Sequence, residues 1–348
     1  MAYTTINKSS DYFNTKLYTG NSTDNHTISG VGFQPDFTWI KDRGRSGFNH
    51  RLQDSVRGAT KSLFSNLTNA EQTNADAVKS FNSDGFVLGN DAGNGSFNGN
   101  SPFVSWNWKA GGSASSNSNG SITSSVSAST DAGFSIVSYT GNSTSGATVG
   151  HGLGVAPRVV LIKKTSGADA WTMLHVDSSG GLNTYLALNS SSGAISDPVF
   201  NNTAPTSTVF TLDSDGQVND NGSSLIAYCF ADVTGFSKHG SYVGNGSSNG
   251  PFIYTGFKPA FVMTKKTSGT SSWDMHDTKR DTFNVATKHL LAEDGGAEGS
   301  TVVLDILSNG FKFRTSNGDR NAPGETYIYM AFAEAPLVGS NNVPTTAR

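Results

Sequence analysis

The chain repeats itself, and this constrains its fold more than any other feature. Tyr18-Thr-Gly-Asn21 returns as Tyr139-Thr-Gly-Asn142 and again as Tyr242-Val-Gly-Asn245. A proline follows each at a separation of 17, 18 and 17 residues (Pro35, Pro157, Pro259), and a lysine stands six residues further on (Lys41, Lys163, Lys265). Apolar or aromatic residues fill the gap between proline and lysine. The second and third copies share Lys-Lys-Thr-Ser-Gly, and each places a tryptophan eight residues after the first lysine (Trp171, Trp273). The first copy has Phe48 near that place. Each copy closes on an aromatic stretch: Val104-Ser-Trp-Asn-Trp108, Ile226-Ala-Tyr-Cys-Phe230 and Tyr327-Ile-Tyr-Met-Ala-Phe332. In the first of these, Trp106 and Trp108 alternate with Ser105 and Asn107, the period of a half-buried strand with both indoles in the core.

Short apolar runs separated by Gly, Asn, Asp and Ser, with almost no helical periodicity, predict an all-β chain of tandem β-sandwich repeats, jelly-roll or lectin-like, in three copies. Asp84-Gly85, Asp215-Gly216 and Asn309-Gly310 read as tight hairpin turns. The segment from Thr68 to Lys79 starts like a capped helix, Thr68 standing three residues before Glu71, and is expected as one short helix or a loop. The expected organisation is a docking segment over 1–17, repeats over 18–112, 139–235 and 242–335, a Gly/Ser-rich flexible linker over 113–138 and a frayed tail over 336–348. Removing 1–17 should then leave the repeats folded.

Composition closes off several functions. The 348 residues carry a net charge of -3 with no basic stripe, which argues against nucleic-acid binding through phosphates. No apolar run approaches the roughly 20 residues of a membrane-spanning helix, and the polar N-terminus is not a secretory signal. The single cysteine, Cys229, sits in an apolar run and reads as a small buried filler.

The search for chemistry is mostly negative. No phosphate loop, zinc-binding His pair or nucleophile elbow occurs, so neither enzyme activity nor any cofactor or metal is expected. Asp213 and Asp215 resemble a carboxylate pair of the glycosidase kind, but Leu-Asp-Ser-Asp-Gly is better read as a turn. Asp274, His276 and Asp277 are the densest polar cluster. Asp-x-x-Arg occurs as Asp54 with Arg57 and as Asp277 with Arg280, while the second copy has Asp177 without an arginine. These arginines are either forks for an acidic ligand or internal ion pairs. Trp171 and Trp273 pose the same choice, as platforms for a sugar ring or as core; their shared repeat position favours a structural role.

Taken together, Thr15-Lys-Leu-Tyr-Thr-Gly20, Gly30-Val-Gly-Phe-Gln-Pro-Asp-Phe37, Asp54-Ser-Val-Arg-Gly-Ala-Thr-Lys61, Trp106-Asn-Trp-Lys-Ala-Gly-Gly112 and Tyr327-Ile-Tyr-Met-Ala-Phe-Ala-Glu334 resemble a tandem repeat common in structural and tail-fibre-like proteins of tailed bacteriophages. The resemblance implies a virion component and supplies no catalytic residues. The expectation is a tail fibre or receptor-binding protein on the particle surface, contacting other virion proteins and a host surface glycan, and assembled as a homo-oligomer with a trimer as the default. The alternatives are a purely structural decoration or adaptor protein, and a polysaccharide depolymerase.

Overall fold

The computed structural model describes residues 4–91 and 95–338, so the expected tail lies outside the described residues beyond 338. The chain is nearly all β, in antiparallel sheets, with two four-residue helical turns, Gly216–Asn219 and Gly318–Asn321. One strand order recurs in three successive stretches. In the first, Phe13–Thr19 pairs with Pro102–Trp108, which pairs with Phe37–Asp42, which pairs with Arg51–Asp54. In the second the same succession is Phe134–Thr140, Ser224–Phe230, Val159–Lys164 and Thr172–His175. In the third it is Ser237–Val243, Thr326–Pro336, Phe257–Lys266 and Asp274–Asp277. The register corresponds as well. Trp39 faces Trp106, Leu161 faces Tyr228 and Met263 faces Met330. A smaller antiparallel pair accompanies each: His26–Ser29 with Gly85–Leu88, Ala147–Gly150 with Val209–Leu212, and Phe252–Tyr254 with Gly310–Phe313.

The Tyr-Thr-Gly-Asn motif locks each stretch internally. The hydroxyls of Tyr18, Tyr139 and Tyr242 donate to the carbonyls of Phe97, Val218 and Arg320 at 2.7, 2.7 and 2.8 Å. The backbone N–H groups of Asn21, Asn142 and Asn245 donate to the side-chain carbonyls of Asn98, Asn219 and Asn321. Glycine is required between them because the chain passes against backbone: a Cβ at Gly20, Gly141 or Gly244 would meet a carbonyl oxygen at 2.0, 2.3 or 2.1 Å.

The principal strands are buried on both faces. One face of Pro102–Trp108 packs Phe103 with Ile40 against Ile28, Phe86 and Leu88 of the small sheet. The other turns Val104, Trp106 and Trp108 into a core shared by all three stretches. Ser105 and Asn107 are therefore buried too, not exposed as the half-buried reading required, whereas both indoles are core as expected. Trp108, Phe230 and Phe332, equivalent in register, touch one another around a triangle with ring centroids 6.5, 5.8 and 5.5 Å apart. An apolar cavity of about 20 Å³ sits among these rings. Cys229 is buried, and burial pushes its thiol up to about 12.

Three expectations need correction, and one open alternative is decided. The linker over 113–138 is built into the second sheet: Ser124–Ser129 pairs with Phe134–Thr140, and Ser115–Asn117 pairs with it in turn. The segment 1–17 is no detachable arm, since Phe13 to Leu17 belong to a ladder and Ile6 and Phe13 are buried. The stretch from Thr68 to Lys79 forms no helix; it contributes Gln72–Thr73 and the start of Val78–Asn82. Asp84-Gly85 and Asn309-Gly310 are hairpin turns, but Asp215 caps a helical turn, accepting the N–H of Gln217 at 2.7 Å.

Candidate functional site

The tryptophans, lysines and Asp-x-x-Arg pairs singled out by sequence lie between the stretches. Trp171 and Trp273 immediately precede the strands Thr172–His175 and Asp274–Asp277, and both are buried. The Trp171 indole donates to the Phe64 carbonyl of the first stretch at 2.7 Å, and that of Trp273 to the Ala187 carbonyl of the second at 3.1 Å. The first stretch has His50 at this position, lying against the backbone of Leu291 and Asp294 of the third, although its Nε2 closes no hydrogen bond. Its Nδ1 instead accepts the Trp39 indole N–H at 2.8 Å, and burial pushes its pKa well down, so the ring is neutral. Neither tryptophan presents a face on which a sugar could stack. The stacking role fails because each indole is committed to a neighbouring backbone.

The repeated lysines make the same circuit. Lys163 donates to the Thr68 carbonyl, Lys265 to that of Ser191 and Lys41 to that of Gly295, at 3.2, 3.1 and 3.3 Å. Each also donates to the carbonyl of the residue that follows it. Burial lowers all three ammonium groups to about 8. The second stretch thus reaches the first, the third reaches the second and the first reaches the third. The contacts close into a ring.

Asp-x-x-Arg belongs to this ring. In both copies the carboxylate accepts the arginine Nε at 2.5 Å, and its other oxygen accepts two following backbone N–H groups. The neighbouring stretch adds a donor: the Tyr228 hydroxyl reaches Asp54 at 2.7 Å, and the Trp106 indole reaches Asp277 at 3.1 Å. Arg57 continues to Glu71, and Arg280 to Glu298. Asp54, Asp277 and Arg280 are buried, and the Arg57 side chain is 6% exposed, so these arginines are internal ion pairs and not ligand forks. Bonding to buried Arg280 holds the Asp277 carboxyl low despite its own burial.

The register also explains why the motif is missing from the second stretch. Phe37 pairs with Asp54 and Phe261 with Asp277, whereas Val159 pairs with His175, so His175 and not Asp177 is the equivalent residue. The position corresponding to Trp106 and Tyr228 in the third stretch is Met330, which has no proton to donate. A buried carboxylate facing methionine would lack this partner; a histidine that burial lowers to about 3 stays neutral. Its Nε2 lies 3.3 Å from the Tyr329 carbonyl. The signal is present in the spacing, since His175 and Asp277 each stand four residues after the aligned tryptophans Trp171 and Trp273, and the ladder confirms it.

The remaining polar candidates are structural as well. Asp274 is bridged to Arg320 and His276, and no cluster of three potential metal ligands occurs among the described residues. Asp215 is the helical cap already described. A surface cleft of about 210 Å³ has Tyr254 on its wall, 48% exposed, with the Lys238 ammonium 5.7 Å from its ring. Asp232, Thr234 and Thr255 line the same cleft. No signal in the repeats points to it, because Tyr254 is absent from the other two copies.

One family model, a domain of unknown function designated DUF7483, matches residues 8–336. The chain belongs to the DUF7483 family. No curated protein and no solved structure matches it. The DUF7483 match runs through all three stretches and the segment between the first two, the same span that the ring contacts unite.

Proposed function

We propose that this DUF7483 chain is a non-enzymatic building part of a tailed-phage particle, made of three copies of one β-sandwich module closed around an approximate threefold axis. The observation that carries this reading is where the repeated chemistry goes. The tryptophans, lysines and Asp-x-x-Arg pairs join one module to the next, which serves rigidity and leaves them unavailable to a substrate. One polypeptide then takes the place of a trimer, so a single copy of 36.5 kDa is the proposed unit in place of the homotrimer expected from fibre proteins. Light scattering on the purified chain tests the mass, and electron microscopy of labelled particles tests the location. A label on the head, neck or tail supports the reading; a chain absent from purified particles contradicts it.

Receptor recognition is the second reading, and the Tyr254 cleft favours it. An exposed ring with hydroxyl, carboxylate and ammonium groups beside it suits a saccharide. Binding on an array of bacterial surface glycans, lost in Tyr254→Ala and kept in Trp171→Phe, is the expected result; binding indifferent to Tyr254 removes the cleft from consideration.

A further inference from the structure

The second stretch carries something that the others lack. Its outer strand, Phe134–Thr140, is covered by Ser124–Ser129 in antiparallel register, with Val126 opposite Val137. The added segment is anchored across the gap to the small sheet, where Ser124 donates to the Gly150 carbonyl and Ile122 to that of Thr148, both at 2.9 Å. Gly150 lets the Asn117 side chain close in, since a Cβ would meet its Oδ1 at 2.1 Å.

The corresponding strands of the other two stretches are sheet edges. In the third the first half of the edge is blocked, at the residues equivalent to Phe13 and Thr15: the His239 N–H is taken by Asp232 at 2.8 Å and the Ser237 N–H by the Val233 carbonyl. In the first it is open. Lys109 donates to the Tyr12 carbonyl and Gly20 to that of Ser101, so alternate residues from Tyr12 to Gly20 face the neighbouring strand. The peptide groups of Thr15 and Leu17 therefore face away from it, and neither has a further partner among the described residues. Thr15 itself is 5% exposed, its hydroxyl is buried without a hydrogen bond, and it lines two adjoining hollows of about 250 and 290 Å³. Lys279 lines both hollows and Lys16 one of them; neither lysine is bridged to a carboxylate among the described residues.

We propose that the edge of Phe13–Thr19 binds an extended polypeptide of a partner protein by strand addition, antiparallel, in the place that Ser124–Ser129 takes on the second stretch. The segment recognised has small side chains along the strand and a carboxylate for Lys16 and Lys279. This stands apart from the particle reading, because it follows from the comparison of equivalent edges within one chain.

The probe is a fluorescein-labelled peptide of residues 122–131, Ile-Thr-Ser-Ser-Val-Ser-Ala-Ser-Thr-Asp, added to the full chain. Saturable anisotropy is expected, with amide exchange slowed at least tenfold, as an order of magnitude for new ladder bonds, and confined to 13–19. Leu17→Pro removes one outward N–H that the sheet does not use and should weaken binding about tenfold. Lys279→Glu, at an exposed position of another stretch, should weaken it about threefold and serves if the proline variant misfolds. Absence of saturable binding, protection at 134–140 in place of 13–19, or affinity unchanged in folded variants would overturn the proposal.

Discussion

At the residue scale, the recurring side chains behave as connectors whose partners belong to another copy. The Trp171 indole meets the Phe64 carbonyl away from water, so removing the N–H deletes the shorter of the two hydrogen bonds that carbonyl accepts, the other coming from the Leu67 N–H at 3.3 Å, and the smaller ring leaves space behind it. Trp171→Phe should cost about 1–3 kcal/mol, read as a lower urea midpoint at an unchanged slope. The lysines provide a pH signature. Unfolded, each holds its proton up to the ordinary 10.5, while folded it releases it near 8. Between those values the unfolded chain binds more protons, so stability should rise with pH; below about 8 the penalty of three buried charges is fully present. Tyr18, Tyr139, Tyr228 and Tyr242 are pushed by burial well above 10, so stability should fall again once the unfolded tyrosines ionise. Thermal midpoints from pH 7 to 11 should therefore pass through a maximum near 10, and Lys163→Met should flatten the rising limb.

At the scale of elements, strand positions and turns were largely legible because tight turns and alternating apolar residues are local signals. Three things were not. Ser124–Ser129 hides as a strand because its residues are small and polar, and only Val126 marks its buried side. His175 hides as the counterpart of Asp54 because the residue type changes and the segment from Lys41 to Asp54 is one residue longer than that from Lys163 to His175. The burial of Ser105 and Asn107 was hidden because one face of that strand meets its own small sheet and the other meets two different stretches. Deleting 115–129 tests the first point. A flexible linker could be shortened at little cost, whereas losing the burial of Ile122 and Val126 and uncovering a ladder should destabilise the chain by several kcal/mol, at about 1.5–3 kcal/mol for each large apolar side chain. Chemical denaturation of the deletion variant measures the difference.

At the scale of the whole molecule, the three stretches share one core instead of sitting as beads on a string. The triangle of Trp108, Phe230 and Phe332 has one corner from each, and the Asp54 and Asp277 junctions place a charge network on two of the three seams. The third seam has His175 and Met330 where the others have a carboxylate and its donor, and joins the two stretches that follow each other most closely in sequence. Such an arrangement should unfold as one unit. Native-state hydrogen exchange across Pro102–Trp108, Ser224–Phe230 and Thr326–Pro336 tests this directly. All three strands should exchange through a single global opening, and Tyr228→Phe, which cuts one seam, should lower the opening free energy of all three by the same amount. Three separate opening energies, with only the strands beside that seam affected, would contradict the account.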